Sequence, residues 1–136
     1  MRMILVASCL IAVASVVHAD TTIISLKPGE TARLRSVTWI DASCGNLLEA
    51  VEAVDIMEAP TQDLKVRWEP GKITAARTGC SQVVDGAFVY VEAGAIKEKL
   101  SGPLVIRVRM KSKTGPVQAT YRFEVRLYPA KAEGQN

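Results

Sequence analysis

The side chains in this chain with chemistry to offer are three cysteines, one histidine, an early run of carboxylates and a late run of basic groups. Cys9 lies inside an apolar N-terminal stretch, so Cys44 and Cys80 are the pair expected to remain in a processed protein. A redox couple is usually spaced C-x-x-C with a lowered thiol pKa, and these two are far apart. In an exported small domain the expected chemistry is a structural disulfide between Cys44 and Cys80. Closing a loop of about 35 residues contributes roughly 3–4 kcal/mol in the chain-entropy account. His18, the single histidine, falls at the end of the same N-terminal stretch. Without it the remaining chain has no Ser-His or Cys-His nucleophile pair and no histidine ligand for zinc.

Glu49, Glu52, Asp55 and Glu58 recur at short intervals. Glycoside chemistry needs two carboxyls facing each other across a cleft, and a calcium loop needs a more compact ligand pattern. A local run of this kind is expected to be a solvated face. Trp39, Trp68, Phe88 and Tyr90 have rings that stack on sugars, but their default expectation is core packing. Met57 and Met110 are too few for a copper site and read as core. No metal site, cofactor or catalytic motif is expected, and the chain reads as non-enzymatic.

The late basic residues are the strongest lead. Arg107, Arg109, Lys111, Arg122 and Arg126 share one face if their two segments pair as a hairpin, with Glu124 among them. Arginine arrays bind carboxylate or phosphate bidentately, so this face is a candidate site for an anionic component of the cell envelope. The plainer role for such charges is to block edge-to-edge aggregation.

These residues need a scaffold, and the 136-residue chain has room for one domain. Met1-Arg2, an apolar run from Ile4 to Val17 and the closing Val17-His18-Ala19 form a secretory signal peptide over residues 1–19, cleaved before Asp20. The apolar run of about 14 residues is short against the roughly 20 that span a bilayer. Val6-Ala7-Ser8-Cys9 is similar to a lipobox, but the apolar run continues past Cys9, so a cysteine inside the signal helix is the expected reading. Cleavage removes Arg2 from 17 basic residues, leaving 16 against 14 acidic ones, a net charge of +2. That is too little to imply nucleic acid. The expected location is the periplasm or the exterior, with no transmembrane segment after cleavage.

Residues 20–128 are expected to form the domain and 129–136 a flexible tail. Thr21–Leu26 is β-branched and apolar, and Pro28-Gly29 is type II turn chemistry. Thr31–Ile40 reads as a second strand whose apolar character changes face, which implies a bulge or bend near Ser36. Leu47, Leu48, Val51 and Val54 stand at helical spacing, so a helical turn or two is expected there before a strand from Ala53 to Glu58. Leu64–Trp68 alternates as a strand, and Pro70-Gly71 predicts a hairpin to Ile73–Arg77. Asp85-Gly86 predicts another turn before a strand over Ala87–Glu92, and a helical turn is allowed at Ile96–Leu100. Leu104–Lys111 and Thr120–Tyr128 alternate clearly and predict a closing hairpin through a turn over Ser112–Pro116, which contains Gly115-Pro116. About seven to nine antiparallel strands with at most short helical turns indicate an all-β sandwich or small barrel.

The stretches Gly86-Ala87-Phe88-Val89-Tyr90-Val91, Gly102 and Tyr121-Arg122-Phe123-Glu124-Val125 resemble the closing part of small exported bacterial immunoglobulin-like or cadherin-like domains. The resemblance implies an Ig-like β-sandwich. It departs from cadherins in lacking their calcium-binding acidic clusters, and from immunoglobulins in the closeness of Cys44 to Cys80. The functional expectation is an exported binding module for a protein or an anionic envelope component. The alternative is an accessory subunit of an envelope assembly that pairs through strand edges.

Overall fold

The computed structural model describes residues 22–74 and 79–130. The expected signal segment, Cys9 and the end of the tail lie outside them. Seven strands follow in order: β1 Ile23–Leu26, β2 Thr31–Val37, β3 Leu48–Glu58, β4 Leu64–Thr74, β5 Val83–Ala93, β6 Leu100–Ser112 and β7 Gly115–Leu127. They form two sheets, ordered β1-β7-β6-β3 and β2-β5-β4. Neighbours pair antiparallel except β1 and β7, which run parallel. The result is an all-β sandwich of two sheets.

Period-two alternation builds the core. Leu104, Ile106, Val108 and Met110 of β6 are buried beside Phe123, Val125 and Leu127 of β7, facing Leu34, Val37, Val89 and Val91 of the other sheet. Each such aliphatic group contributes about 1.5–3 kcal/mol when fully buried. The first Pro-Gly turn forms as expected: Gly29 has φ +78°, and the Glu30 amide donates to the Lys27 carbonyl at 3.1 Å. It carries the chain from one sheet to the other instead of closing a hairpin. The bulge expected in the second strand lies between Arg33 and Arg35, and it lets Leu34 and Val37 both face inward.

Several expected turns are absent. The helical spacing at Leu48, Val51 and Val54 belongs to β3, not to a helix. Register shifts between Leu48 and Ala50, and between Val51 and Ala53, insert one extra residue each. Inward positions opposite Ser112, Met110 and Val108 therefore fall three residues apart, imitating a helix. Pro70-Gly71 makes no hairpin, because β4 runs through it and pairs with β5 from Leu64 to Thr74. A proline is tolerated there because β4 is an edge strand, where a missing N–H interrupts nothing. Asp85-Gly86 likewise lies within β5, opposite Lys72 and Gly71. The segment before Leu100 has no helical turn, and Ile96 is buried. The last hairpin does form, turning at Lys113-Thr114 inside the expected Ser112–Pro116 turn, with Ser112 opposite Gly115.

Candidate functional site

The connections β2–β3, β4–β5 and β6–β7 meet at one end of the sandwich. The Cys44–Cys80 disulfide joins the first two, with Cα atoms 5.5 Å apart. The Lys113 amide donates to the Leu47 carbonyl at 2.9 Å and brings in the third. This bond ties loops at a pole, unlike the inter-strand bridge buried in an immunoglobulin core.

The β2–β3 loop is held by its own polar groups. Asp41 Oδ1 accepts from the amides of Ser43 and Gly45 at 2.9 and 2.7 Å. The Asp41 amide donates to the Gly45 carbonyl at 3.0 Å, and Cys44 adopts φ +65° between them. Asn46 donates from Nδ2 to the Asp85 carbonyl at 3.1 Å, fastening the loop to β5. Gln82 Nε2 donates to the Cys44 carbonyl. A loop restrained this fully has little conformational freedom left to lose on binding.

Beside it the sandwich is open. β3 and β4 are the edges of their respective sheets on the same side, and a groove of about 660 Å³ separates them. Its wall is apolar, from Leu48 and Val51 on β3 to Trp68 and Pro70 on β4. Trp68 pairs with fully buried Val89, so it lies on the inward face of its strand, yet it is 38% exposed. Its indole stands at the mouth of the gap where the two sheets part. Glu49, Lys72 and Asp85 line the polar margin, with Lys72 and Asp85 paired across the strands. Gly71 and Gly86 face each other in the floor. A methyl group on Gly71 would strike the Phe88 ring, and one on Gly86 would strike the Val37 carbonyl. A second recess, of about 500 Å³, lies farther along the same side around Ile56, Met57 and Leu64.

The other aromatics are not core either. Phe88 and Tyr90 alternate with buried Ala87, Val89 and Val91 and so occupy the outer face of β5. Arg33 stacks over Phe88 at 4.8 Å and Arg67 over Tyr90 at 4.5 Å. The expectation of core packing holds for none of Trp39, Trp68, Phe88 and Tyr90. Of the two methionines expected in the core, Met110 is buried and Met57 is 48% exposed.

Arg107, Arg109, Lys111, Arg122 and Arg126 do share the outer face of β6 and β7. The topology adds what a linear reading omits, because β3 lays its carboxylates alongside. Arg109 Nε is 3.0 Å from Asp55 Oδ2, and Lys111 Nζ is 3.7 Å from Glu49 Oε2. Arg107, Arg122 and Arg126 form no ion pair among the described residues. The positive charge is therefore concentrated toward β7. Glu52 and Met57 are displaced positions at the bulges of β3, so the acidic run is distributed along an edge, not set across a cleft.

Sequence reasoning missed the groove. Its signal was available in Trp68, an aromatic on the apolar side of an alternating strand two residues before a proline that marks an edge. No helix among the described residues is long and apolar enough to cross a membrane. Comparison with protein families, curated proteins and solved structures finds no match for this chain.

Proposed function

We propose that this chain is an exported, non-enzymatic binding module that holds a protein partner at the disulfide pole. The signal-like N-terminus and the formed disulfide support export to the periplasm or beyond. The carrying observation is the groove between β3 and β4, walled by Leu48, Val51, Trp68 and Pro70, with the restrained β2–β3 loop fastened beside it through Asn46 and Asp85. Its size suits one or two large apolar side chains of a partner, and a partly exposed tryptophan in such a place is the kind of anchor that dominates protein interfaces. Its charged margin favours a protein segment with polar flanks over a purely lipidic occupant. The resemblance to Ig-like sandwiches agrees with this reading, since such sandwiches often recognise partners through the loops at one end.

A photo-crosslinking residue placed at Ala50, with a control at exposed Glu30 in the β1–β2 turn at the other end of the sandwich, tests the site in the oxidised protein within its own envelope extract. The expected result is a discrete protein adduct from Ala50, lost on Trp68→Ala. Equal adducts from both positions, or an Ala50 adduct indifferent to Trp68→Ala, would refute the assignment.

A second reading rests on Arg107, Arg122 and Arg126, which have no acidic partner among the described residues. They support binding of an anionic envelope component on the outer face of β6 and β7. Retention on an anionic matrix should then fall with salt and with Arg122→Ala plus Arg126→Ala. Unchanged elution of that variant would exclude it.

A further inference from the structure

We infer that the first half of β7 is a docking edge for an extended, acidic strand of a partner protein, added parallel to β7 in line with β1. This inference is independent of the groove. β1 covers β7 only from Glu124 to Leu127. The amide of Glu124 donates to the Thr22 carbonyl at 3.0 Å, and the amide of Tyr128 to the Leu26 carbonyl at 3.0 Å. Backbone groups of alternate residues leave a strand on the same side. β7 pairs with β6 without a register shift from end to end, so this alternation is unbroken. The amides and carbonyls of Gln118, Thr120 and Arg122 therefore point to the side β1 occupies farther down, and no described strand meets them there.

The chain's own N-terminus is too short to fill this place after processing. Cleavage before Asp20 leaves Asp20 and Thr21 ahead of Thr22. Continued in the β1 register, in which Ile23 faces Glu124, Asp20 reaches no farther than Tyr121. At about 3.3 Å per residue, the edge from Val117 to Thr120 stays beyond it.

The surroundings specify the visitor. A side chain opposite Thr120 would project onto the outer face, between Arg107, the cross-strand neighbour of Thr120, and Arg122, two residues along β7. Neither arginine has an acidic partner among the described residues, so a carboxylate fits there. A side chain opposite Ala119 would point between the sheets, near the place where Arg35 lies over the Tyr121 ring, and a small apolar group fits there. A second copy suits the edge less well, because a symmetric pair would bring two such arginine-bearing faces together. Strand addition of this type takes its affinity from main-chain hydrogen bonds and its selectivity from alternate side chains.

The test uses isotope-labelled mature chain beginning at Asp20 and a capped peptide of alternating valine and glutamate. In the free protein the Gln118 and Thr120 amides should exchange rapidly with solvent. The peptide should shift and protect those amides, and binding should weaken at least about tenfold with Arg122→Glu, as for loss of a complementary charge pair. N-methylating alternate peptide amides should abolish binding without altering the protein at all. A peptide of valine and lysine should prefer the Arg122→Glu variant. Protected amides in the free chain would show the edge already covered and overturn the inference. So would undiminished binding of the N-methylated peptide, shifts confined to β3 and β4, or no binding.

Discussion

The Arg35 guanidinium carbon lies 3.8 Å from the centre of the Tyr121 ring, joining β2 of one sheet to β7 of the other. Tyr121 faces the core side of β7 beyond the point where β1 stops, so its ring is only partly covered by strands. A guanidinium closes that seam from above, since a cation on an aromatic face is attracted by the ring quadrupole. The same side of the molecule presents the part of the β7 edge that no described strand covers, and the opposite side presents the groove at Trp68. Both openings lie toward the disulfide pole, where the sandwich is least complete.

Arg35→Ala should lower stability by about 0.5–1 kcal/mol, the range for an exposed cation–aromatic contact. Urea unfolding followed by circular dichroism measures it, with Lys27→Ala as a surface control. A variant indistinguishable from the control would mean that the stacking carries no energy.

Removing the disulfide through Cys44→Ser with Cys80→Ser should cost about 2–4 kcal/mol. The native bond closes a sequence separation of 36 residues and restrains both loops of the pole. Hydrogen exchange should then speed up first at Asn46 and Asp85, which the loop attachment joins. Uniform loss of protection over both sheets would point to a global role instead.

Glycine positions separate two kinds of constraint. Gly29 has φ +78° with open space where a side chain would be, so Gly29→Ala should cost about 1–2 kcal/mol from backbone strain alone. Gly86 packs against the Val37 carbonyl and against Ile73 Cδ1, 2.6 Å from an added methyl group. Gly86→Ala should therefore reach the upper part of the roughly 1–3 kcal/mol range for overpacking. Thermal unfolding of the two variants, compared directly, reads the difference.

Pro70 interrupts the outer edge of β4, and three register shifts interrupt β3. Both devices discourage edge-to-edge association. Pro70→Thr should leave the fold intact while promoting concentration-dependent self-association. Light scattering across a dilution series would detect it. A variant that stays as monodisperse as the parent would show that Pro70 serves the groove and not the edge.

Strand content was legible in the sequence wherever one face is buried and the other wet. In β6 and β7, burial alternates residue by residue, so a period of two appears directly in Leu104 to Lys111 and in Tyr121 to Leu127. The disulfide was legible too, because two widely spaced cysteines following a signal-like stretch that holds the single histidine have pairing as their expected chemistry. The placement of the five basic residues on one face followed from the same alternation.

Other features were decided by partners distant in sequence. The three-residue spacing in β3 is helical on paper, and bulges against β6 make it a strand. Pro-Gly at residues 70 and 71 favours a turn locally, but eleven paired positions with β5 outweigh that preference at an edge strand, where proline's lack of an N–H is tolerated. Asp55 and Arg109 are 54 residues apart and meet only because β3 lies beside β6. The groove at Trp68 exists for the same reason. Local sequence sets which face of a strand is apolar, whereas the order of strands sets which edges and faces remain uncovered.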